Sequence, residues 1–484
     1  MNTKRSVLSN FIWRFAERVG AQLVAFIVSI VLARILEPSA YGTIALITVF
    51  TAILQTFVDS GLGNALIQKK DADDIDFSTV FYTNFVFCIF LYLVVFFGAP
   101  FVAKFYGDLQ ITGYMRVLGL TVLISGLKNV QQAYVSRHML FKKFFFSTLG
   151  GTVIAGIVGV FMAYHGFGVW ALVAQQVINL TIDTIILWIT VKWRPKLVFS
   201  VERLKGLFSY GWKLLVSSLL DKVYTEIRSL IIGKIYTSAD LAYYNRGLQF
   251  PQLVSTNVNT SIDSVLLPAM SNEQDNKQRV KDMTRRSIKV STYVMAPLMI
   301  GMAFIAEPMV SLILTDKWLP CVYFMRLFCI SFMFQPIHTA NLNAIKAIGR
   351  SDIFLKLEII KKIVGLIALF STMNISVKAL AFSLFLTSFV NQIVNSWPNK
   401  KLLDYGYGQQ LRDILPGVIV AFIMGVAIYP VQLLGLSNIL TILIQVPLGA
   451  LIYIAGSKIF KLDSFEYLLG IAKQFLASKR GNKA

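Results

Sequence analysis

Residues 414–457, ILPGVIVAFIMGVAIYPVQLLGLSNILTILIQVPLGALIYIAGS, contain no Asp, Glu, Lys or Arg and lie between Asp413 and Lys458. A helix needs about 20 apolar residues to cross a hydrocarbon layer of about 30 Å. This run is long enough for two such helices, with Gly435, Leu436 and Ser437 as the turn between them. A soluble core has little use for helices that are apolar on every side. The stretch therefore places the chain in the all-α, polytopic membrane class.

The rest of the 484 residues continues the pattern, with 56% hydrophobic and only 15% charged residues, against about a quarter charged in ordinary soluble domains. The apolar periods predict fourteen transmembrane helices, at 11–36, 41–67, 78–103, 111–136, 146–165, 168–191, 208–233, 239–270, 287–314, 318–345, 354–373, 376–397, 412–434 and 438–457. If each takes about 24 residues, about 148 remain for termini and connections, too few for a folded extramembrane domain. The first segment is too long and too charged for a signal peptide and reads as a retained helix. After Lys458, Phe460, Leu462, Phe465, Leu468, Leu469, Phe475 and Leu476 interleave with Lys, the pattern of an interfacial amphipathic helix.

The net charge of +21 would suggest nucleic acid in a soluble protein. Here it has another cause. Laid on the fourteen-helix pattern with the N-terminus inside, thirty basic residues fall on the cytoplasmic side, and only Arg34, Lys104, Lys234, Lys317 and Lys378 fall opposite. That asymmetry predicts both termini in the cytoplasm and removes the need for a nucleic-acid partner. Cys88, Cys321 and Cys329 have no paired spacing, and His138, His165 and His338 lie far apart. Neither a disulfide framework nor a metal site is indicated, and no cofactor is expected. The run Asp71, Asp73, Asp74 and Asp76 reads as a solvated loop.

The chain also matches itself at a shift of about 200–210 residues. Ala33-Arg34-Ile35-Leu36 aligns with Gly233-Lys234-Ile235-Tyr236, Met115-Arg116-Val117-Leu118 with Met325-Arg326-Leu327-Phe328, and Val169-Trp170-Ala171-Leu172 with Val377-Lys378-Ala379-Leu380, with Gly156 over Gly365. This divides the chain into an N-lobe of six helices at 1–207, a C-lobe of six at 208–400, a peripheral helix pair at 401–458 and a cytoplasmic tail at 459–484. Parallel repeats of this kind share a central cavity and suit alternating access.

Charges within the spans identify which helices would line that cavity, because each costs about 2.5–3.5 kcal/mol at the bilayer centre. Arg14, Glu17, Arg18 and Gln22 stack on one face of helix 1, and Lys213, Ser217, Asp221, Thr225 and Arg228 on one face of helix 7. Lys222 and Glu226 lie beside the second stripe. Helix 2 adds Asp59, and helix 8 adds Tyr243, Tyr244, Asn245, Arg246, Gln249, Gln252, Asn257, Asn259 and Asp263. Arg14, Lys213, Arg116 and Lys128 suit snorkelling or structural pairing as well as a cavity, and Lys222 with Glu226 also fits an intrahelical ion pair. Arginine forks suit phosphate oxygens, and buried carboxylates can load H+ or Na+. The candidate substrate-binding residues are therefore Arg14, Arg18, Asp59, Lys222, Arg228, Tyr243 and Arg246. The candidate ion-coupling residues are Glu17, Asp221, Glu226 and Asp263.

The opening SNFIWRFAERVGAQLVAFIVSIVLARILEPSAYGTIAL at residues 9–46, DSGLGNALIQ at 59–68 and Asp240-Leu241-Ala242-Tyr243-Tyr244-Asn245-Arg246 resemble the polysaccharide-transporter family, the Wzx-type oligosaccharide flippases of the multidrug/oligosaccharidyl-lipid/polysaccharide exporter superfamily. The resemblance implies a bacterial inner-membrane flippase that moves a glycan repeat unit on undecaprenyl diphosphate from the cytoplasmic to the periplasmic leaflet. It implies two six-helix lobes around a cationic cavity, ion-gradient coupling, and a pathway shared with polymerase and export machinery. The matching cavity positions are Arg18, Asp59, Asp221, Arg228 and Arg246. A cation-coupled multidrug exporter would need only twelve helices and a cavity suited to cations. A membrane glycan polymerase or glycosyltransferase would need a catalytic loop that the short connections do not provide.

Overall fold

A computed structural model describes residues 3–59 and 62–481. The side chains of 3–12, 14–19, 64, 210, 472 and 475–481 lie outside that description, and with them Arg14, Glu17 and Arg18. The chain forms two compact units, Met1–Ala242 and Tyr243–Ala484.

The first unit contains α1 (Thr3–Ile35), α2 (Pro38–Asp59), α3 (Leu62–Gln68), α4 (Asp74–Tyr106), α5 (Ile111–Arg137), α6 (Phe141–Tyr164), α7 (Val169–Thr190) and α8 (Val201–Ile235). The division falls inside α9 (Ser238–Ser271), most of which belongs to the second unit. There follow α10 (Lys277–Phe304), α11 (Ala306–Leu314), α12 (Cys321–Met333), α13 (Gln335–Ala347), α14 (Ser351–Thr372), α15 (Val377–Leu403), α16 (Tyr407–Ile428), α17 (Asn438–Ile459) and α18 (Asp463–Gly481).

Among the described residues, nine helical segments are long and apolar enough to cross a membrane, against the fourteen expected. They are α2, α4, α6, α7, α10, the α12–α13 pair, α15, α16 with the turn after it, and α17. At the other expected positions stand α1, α5, α8, α9 and α14, which have sufficient length, 22 to 35 residues. Their polar side chains dilute the apolar signal. Large side chains such as Phe97, Phe101, Ile157, Phe161, Phe422 and Leu443 stay uncovered by protein, as lipid-facing positions require.

Local chemistry explains several boundaries. The expected helix 41–67 is described as α2 and α3, and the start of α3 comes close to α5. A Cβ on Gly63 would lie 2.5 Å from Asn129 Oδ1. Expected helix 10 breaks into α12 and α13 at Phe334, where Pro336 cannot supply an amide donor. α10 begins at Lys277, ten residues before the apolar run, because Asn276 caps Arg279 N. The Tyr41-Gly42 motif also has a physical cause. The start of α9 passes so near α2 that a Cβ on Gly42 would sit 1.6 Å from Ser238 O.

In the first unit α6 packs against α1 and α7, and α5 against α2, α4 and α7. Gly156 of α6 receives Val28 of α1, and Gly151 approaches Asn179 of α7, the small-residue contacts on which helices associate where water supplies no driving force. In the second unit α10 is the centre, packing against α12, α13 and α16. The tail helix α18 docks on it through Lys289 Nζ to Asp463 Oδ2 at 2.6 Å and Arg286 over the Tyr467 ring at 5.1 Å.

Candidate functional site

Two clusters of buried polar groups stand out, one in each unit. In the first unit Lys128 projects from α5 and donates from Nζ to Asp183 Oδ2 of α7 at 2.5 Å. The two side chains are 13% and 8% exposed. Asp183 Oδ1 is buried and has no hydrogen-bond partner among the described residues. Trp188 Nε1, about one turn further along α7, donates to Leu127 O beside Lys128 at 3.1 Å and fixes the two helices at this level. At the end of α2, Asp59 is exposed and accepts from Gln55 Nε2 at 3.1 Å and from Asn129 Nδ2 at 3.5 Å. Asn129 also donates to Val58 O and accepts from Asn84 of α4. Lys128 and Asp59 are near enough for their charges to interact. One cation thus stands between an exposed and a buried carboxylate carried by three different helices.

In the second unit one buried polar cluster is made of neutral groups. Asn341 of α13 donates to Gln410 Oε1 of α16 at 2.8 Å and to Ser396 Oγ of α15 at 3.2 Å, and accepts from Gln410 Nε2 and Asn399 Nδ2. His338 Nδ1 lies 2.8 Å from Asn395 Nδ2. These groups are all buried. Hydrophobic periodicity could not reveal this cluster, because the partners come from three separate helices, α13, α15 and α16.

The remaining expected site residues are distributed as follows. On α8, Lys222 Nζ meets Glu226 Oε1 at 2.7 Å, the intrahelical pair. Asp221 is exposed and Arg228 half-buried. On α9, Arg246 is buried, donates from Nη1 to Gln249 Oε1 at 2.6 Å, and sits 5.3 Å over the ring of buried Trp318. Tyr243 packs edge-on to that same indole at 6.1 Å. Asp263 is exposed. The structure thus assembles Tyr243, Arg246 and Trp318 in one place and Asp59, Lys128 and Asp183 in another. The charges of Lys128 and Asp183 were evident in the sequence, but their partnership was not.

Two residues aligned by the internal repeat behave alike. Arg116 donates from Nε to Phe96 O of α4 at 3.1 Å, and Arg326 donates from Nε to Ala303 O of α10 at 3.2 Å. Arg116 stacks on Phe96, whereas Arg326 faces Glu307 at 3.5 Å. The Trp170 and Lys378 positions each cover a tyrosine, Tyr114 and Tyr323.

In the acidic run at 71–76, expected as a solvated loop, Asp71, Asp73 and Asp74 are exposed, but Asp76 is not. Asp73 caps α4 in a reciprocal capping box with Asp76, and Asp76 is fully buried. Lys69 Nζ lies 2.7 Å from Asp76, Arg203 reaches both Asp73 and Asp76, and Lys196 pairs with Asp74 at 2.6 Å. Helix capping, Lys69 nearby and Arg203 from a distant segment hold Asp76 inward. Burial alone would raise the Asp73 carboxyl, but the Asp76 amide and Arg203 outweigh it and hold it below its usual range.

Nine apolar spans among the described residues, with ion pairs and amides buried among them, define a polytopic helical membrane protein. The model of a family described as polysaccharide biosynthesis protein matches residues 31–323, and the chain belongs to that family. Among its relatives, the teichuronic acid biosynthesis protein TuaB of Bacillus subtilis is 24% identical over 417 residues, 84% of this chain and 85% of the relative. The succinoglycan biosynthesis transport protein ExoT of Rhizobium meliloti is 22% identical over 314 residues, 65% of this chain and 64% of the relative. Among solved structures, the lipid II flippase MurJ in its inward closed conformation superposes with a TM-score of 0.73 at 14% identity, covering 93% of this chain and 98% of MurJ. The last likeness establishes the fold.

Proposed function

We propose that this protein is a flippase that carries an oligosaccharide repeat unit on undecaprenyl diphosphate from the cytoplasmic to the periplasmic leaflet of the bacterial inner membrane, for a surface polysaccharide. The observation that carries the reading is a set of charged and amide side chains held within apolar spans, in a chain of a polysaccharide biosynthesis family. Such groups are expensive in a bilayer and mark a path for polar cargo. The cargo's head is a charged, hydroxylated group, while its polyprenyl tail remains in lipid. Transport of this kind makes and breaks no bond.

In this reading Arg14, Arg18, Asp59, Lys222, Arg228, Tyr243 and Arg246 contact the head as the protein alternates its access. Glu17, Asp221, Glu226 and Asp263 couple movement to H+ or Na+. Both termini lie in the cytoplasm, and the N-lobe and C-lobe occupy 1–207 and 208–400. The protein serves the polymerase and export machinery of its pathway. The test is deletion of the gene followed by analysis of undecaprenyl-linked intermediates. Accumulation of one complete repeat unit on the cytoplasmic face is expected, and a normal intermediate pool with normal surface glycan would refute the reading.

A further inference from the structure

The second unit carries a cavity of about 480 Å³ outside the residues assigned to transport. Its lining includes Glu307 of α11 and Leu319, Tyr323, Arg326, Leu327 and Ile330. The volume is within the range of small-ligand sites, about 300–1,000 Å³. Tyr323, Arg326 and Ile330 follow one another on one face of α12 at i, i+3 and i+7. Tyr323 and Ile330 are exposed. Along the span this face passes from an aromatic ring through a cation to bare aliphatic side chains, the order of headgroup and acyl chain in one leaflet.

Arg326 is held in place by a bond from Nε to Ala303 O of α10 at 3.2 Å, so its fork is tied back to the protein and does not simply snorkel to water. Nη2 lies 3.5 Å from Glu307 Oε2, longer than the 2.7–2.9 Å or so of a charge-assisted bond. Nη1 has no hydrogen-bond partner among the described residues. Lys378, in the first turn of α15, is exposed and stands over the Tyr323 ring at 5.3 Å. It forms no ion pair among the described residues. Tyr323 thus has Arg326 one turn along its own helix and Lys378 over its ring. The first unit treats the matching positions differently. Arg116 stacks on Phe96 at 4.1 Å, and Trp170, the counterpart of Lys378, packs edge-on to Tyr114 at 4.9 Å. Where the first unit places an indole, the second places a second cation.

We propose that this cavity holds the headgroup of one anionic phospholipid of the surrounding bilayer, of the phosphatidylglycerol class. Its phosphodiester oxygens accept from Arg326 Nη1 and Lys378 Nζ, and an acyl chain runs along Leu327 and Ile330. Guanidinium and ammonium donors suit phosphate oxygens, and basic pockets between membrane helices bind lipid headgroups. An anionic lipid brings no cation of its own, whereas a zwitterionic one would add a third positive group beside Arg326 and Lys378, with Glu307 already facing Arg326. The lipid is a resident of the site and is independent of any transported glycan.

The test uses the full-length purified protein in phosphatidylethanolamine vesicles containing a little phosphatidylglycerol with a diazirine on its acyl chain. Light-induced adducts are mapped by mass spectrometry. The expected result is an adduct at residues 327–330, several-fold stronger than that from a phosphatidylethanolamine probe of the same chain and several-fold weaker in Arg326→Gln with Lys378→Gln. Where that double variant does not fold, Lys378→Gln alone decides, because Lys378 is exposed and interacts with a ring only, among the described residues. Glu307→Gln removes the competing carboxylate and should strengthen the adduct. Adducts at exposed Leu443 of α17 serve as the reference and should not change in any variant. Equal labelling of 327–330 by the two probes, an adduct undiminished in the deciding variant, or no adduct at 327–330 overturns the proposal. No glycan is present, so the outcome does not depend on the transport reading.

Discussion

The two units solve the same problem, polar groups inside a membrane protein, with different chemistry. The first holds a charged pair, Lys128 and Asp183, with a second carboxylate nearby. The second holds a network of neutral side chains, the amides of Asn341, Gln410 and Asn399 with the hydroxyl of Ser396. A neutral network is satisfied by geometry alone and keeps one arrangement. A charged pair must be balanced, and removal of either partner leaves an uncompensated charge. The contrast sets a charged pair in the first unit, whose partners depend on each other's charge, against a cluster of neutral groups in the second, whose partners depend on hydrogen-bond geometry.

Breaking the charged pair has the largest expected effect. Lys128→Ala or Asp183→Ala should cost about 3–5 kcal/mol, read as loss of thermal stability in detergent, whereas K128M/D183N should recover most of it. Equal losses in the single and double variants would show that packing, and not charge, sets the cost. Next comes the amide network. Asn341→Leu should cost about 1–3 kcal/mol by leaving Gln410 and Asn399 without their partner, read as a lower melting temperature in detergent. The repeat comparison is sharpened by Arg116→Met and Arg326→Met. Each loses one hydrogen bond to a carbonyl, about 1 kcal/mol, and similar falls in melting temperature are expected. The smallest effect concerns Asp73. Its folded carboxyl lies below its unfolded value, so the stability it contributes is present above the ordinary carboxylate range and is lost as pH falls through the folded value. Asp73→Asn should therefore lower the melting temperature slightly at neutral pH and not in strong acid.

Much of the fold was legible because apolar length is a local property. The uncharged run 414–457 resolves into α16, a short turn and α17. Five expected spans carry too many polar side chains to stand out by apolarity. The site was less legible, because partnership depends on folding. Lys128 and Asp183 are 55 positions apart, and Asn341 and Gln410 are 69. Asp76 read as solvated because its cation Arg203 comes from 127 positions away. Arg246 is buried, and the indole of Trp318 beneath it gave no sign in the spacing.

The central claim is movement of a lipid-linked oligosaccharide between leaflets without chemical change. It is tested most directly by reconstituting the purified protein into vesicles that carry a polyprenyl-diphosphate-linked oligosaccharide in one leaflet, and following that glycan's access to an impermeant lectin or glycosidase. The account predicts transfer to the other leaflet at a rate well above protein-free vesicles, with the glycan unaltered. Transfer no faster than in protein-free vesicles, or a lengthened or cleaved glycan, would contradict it.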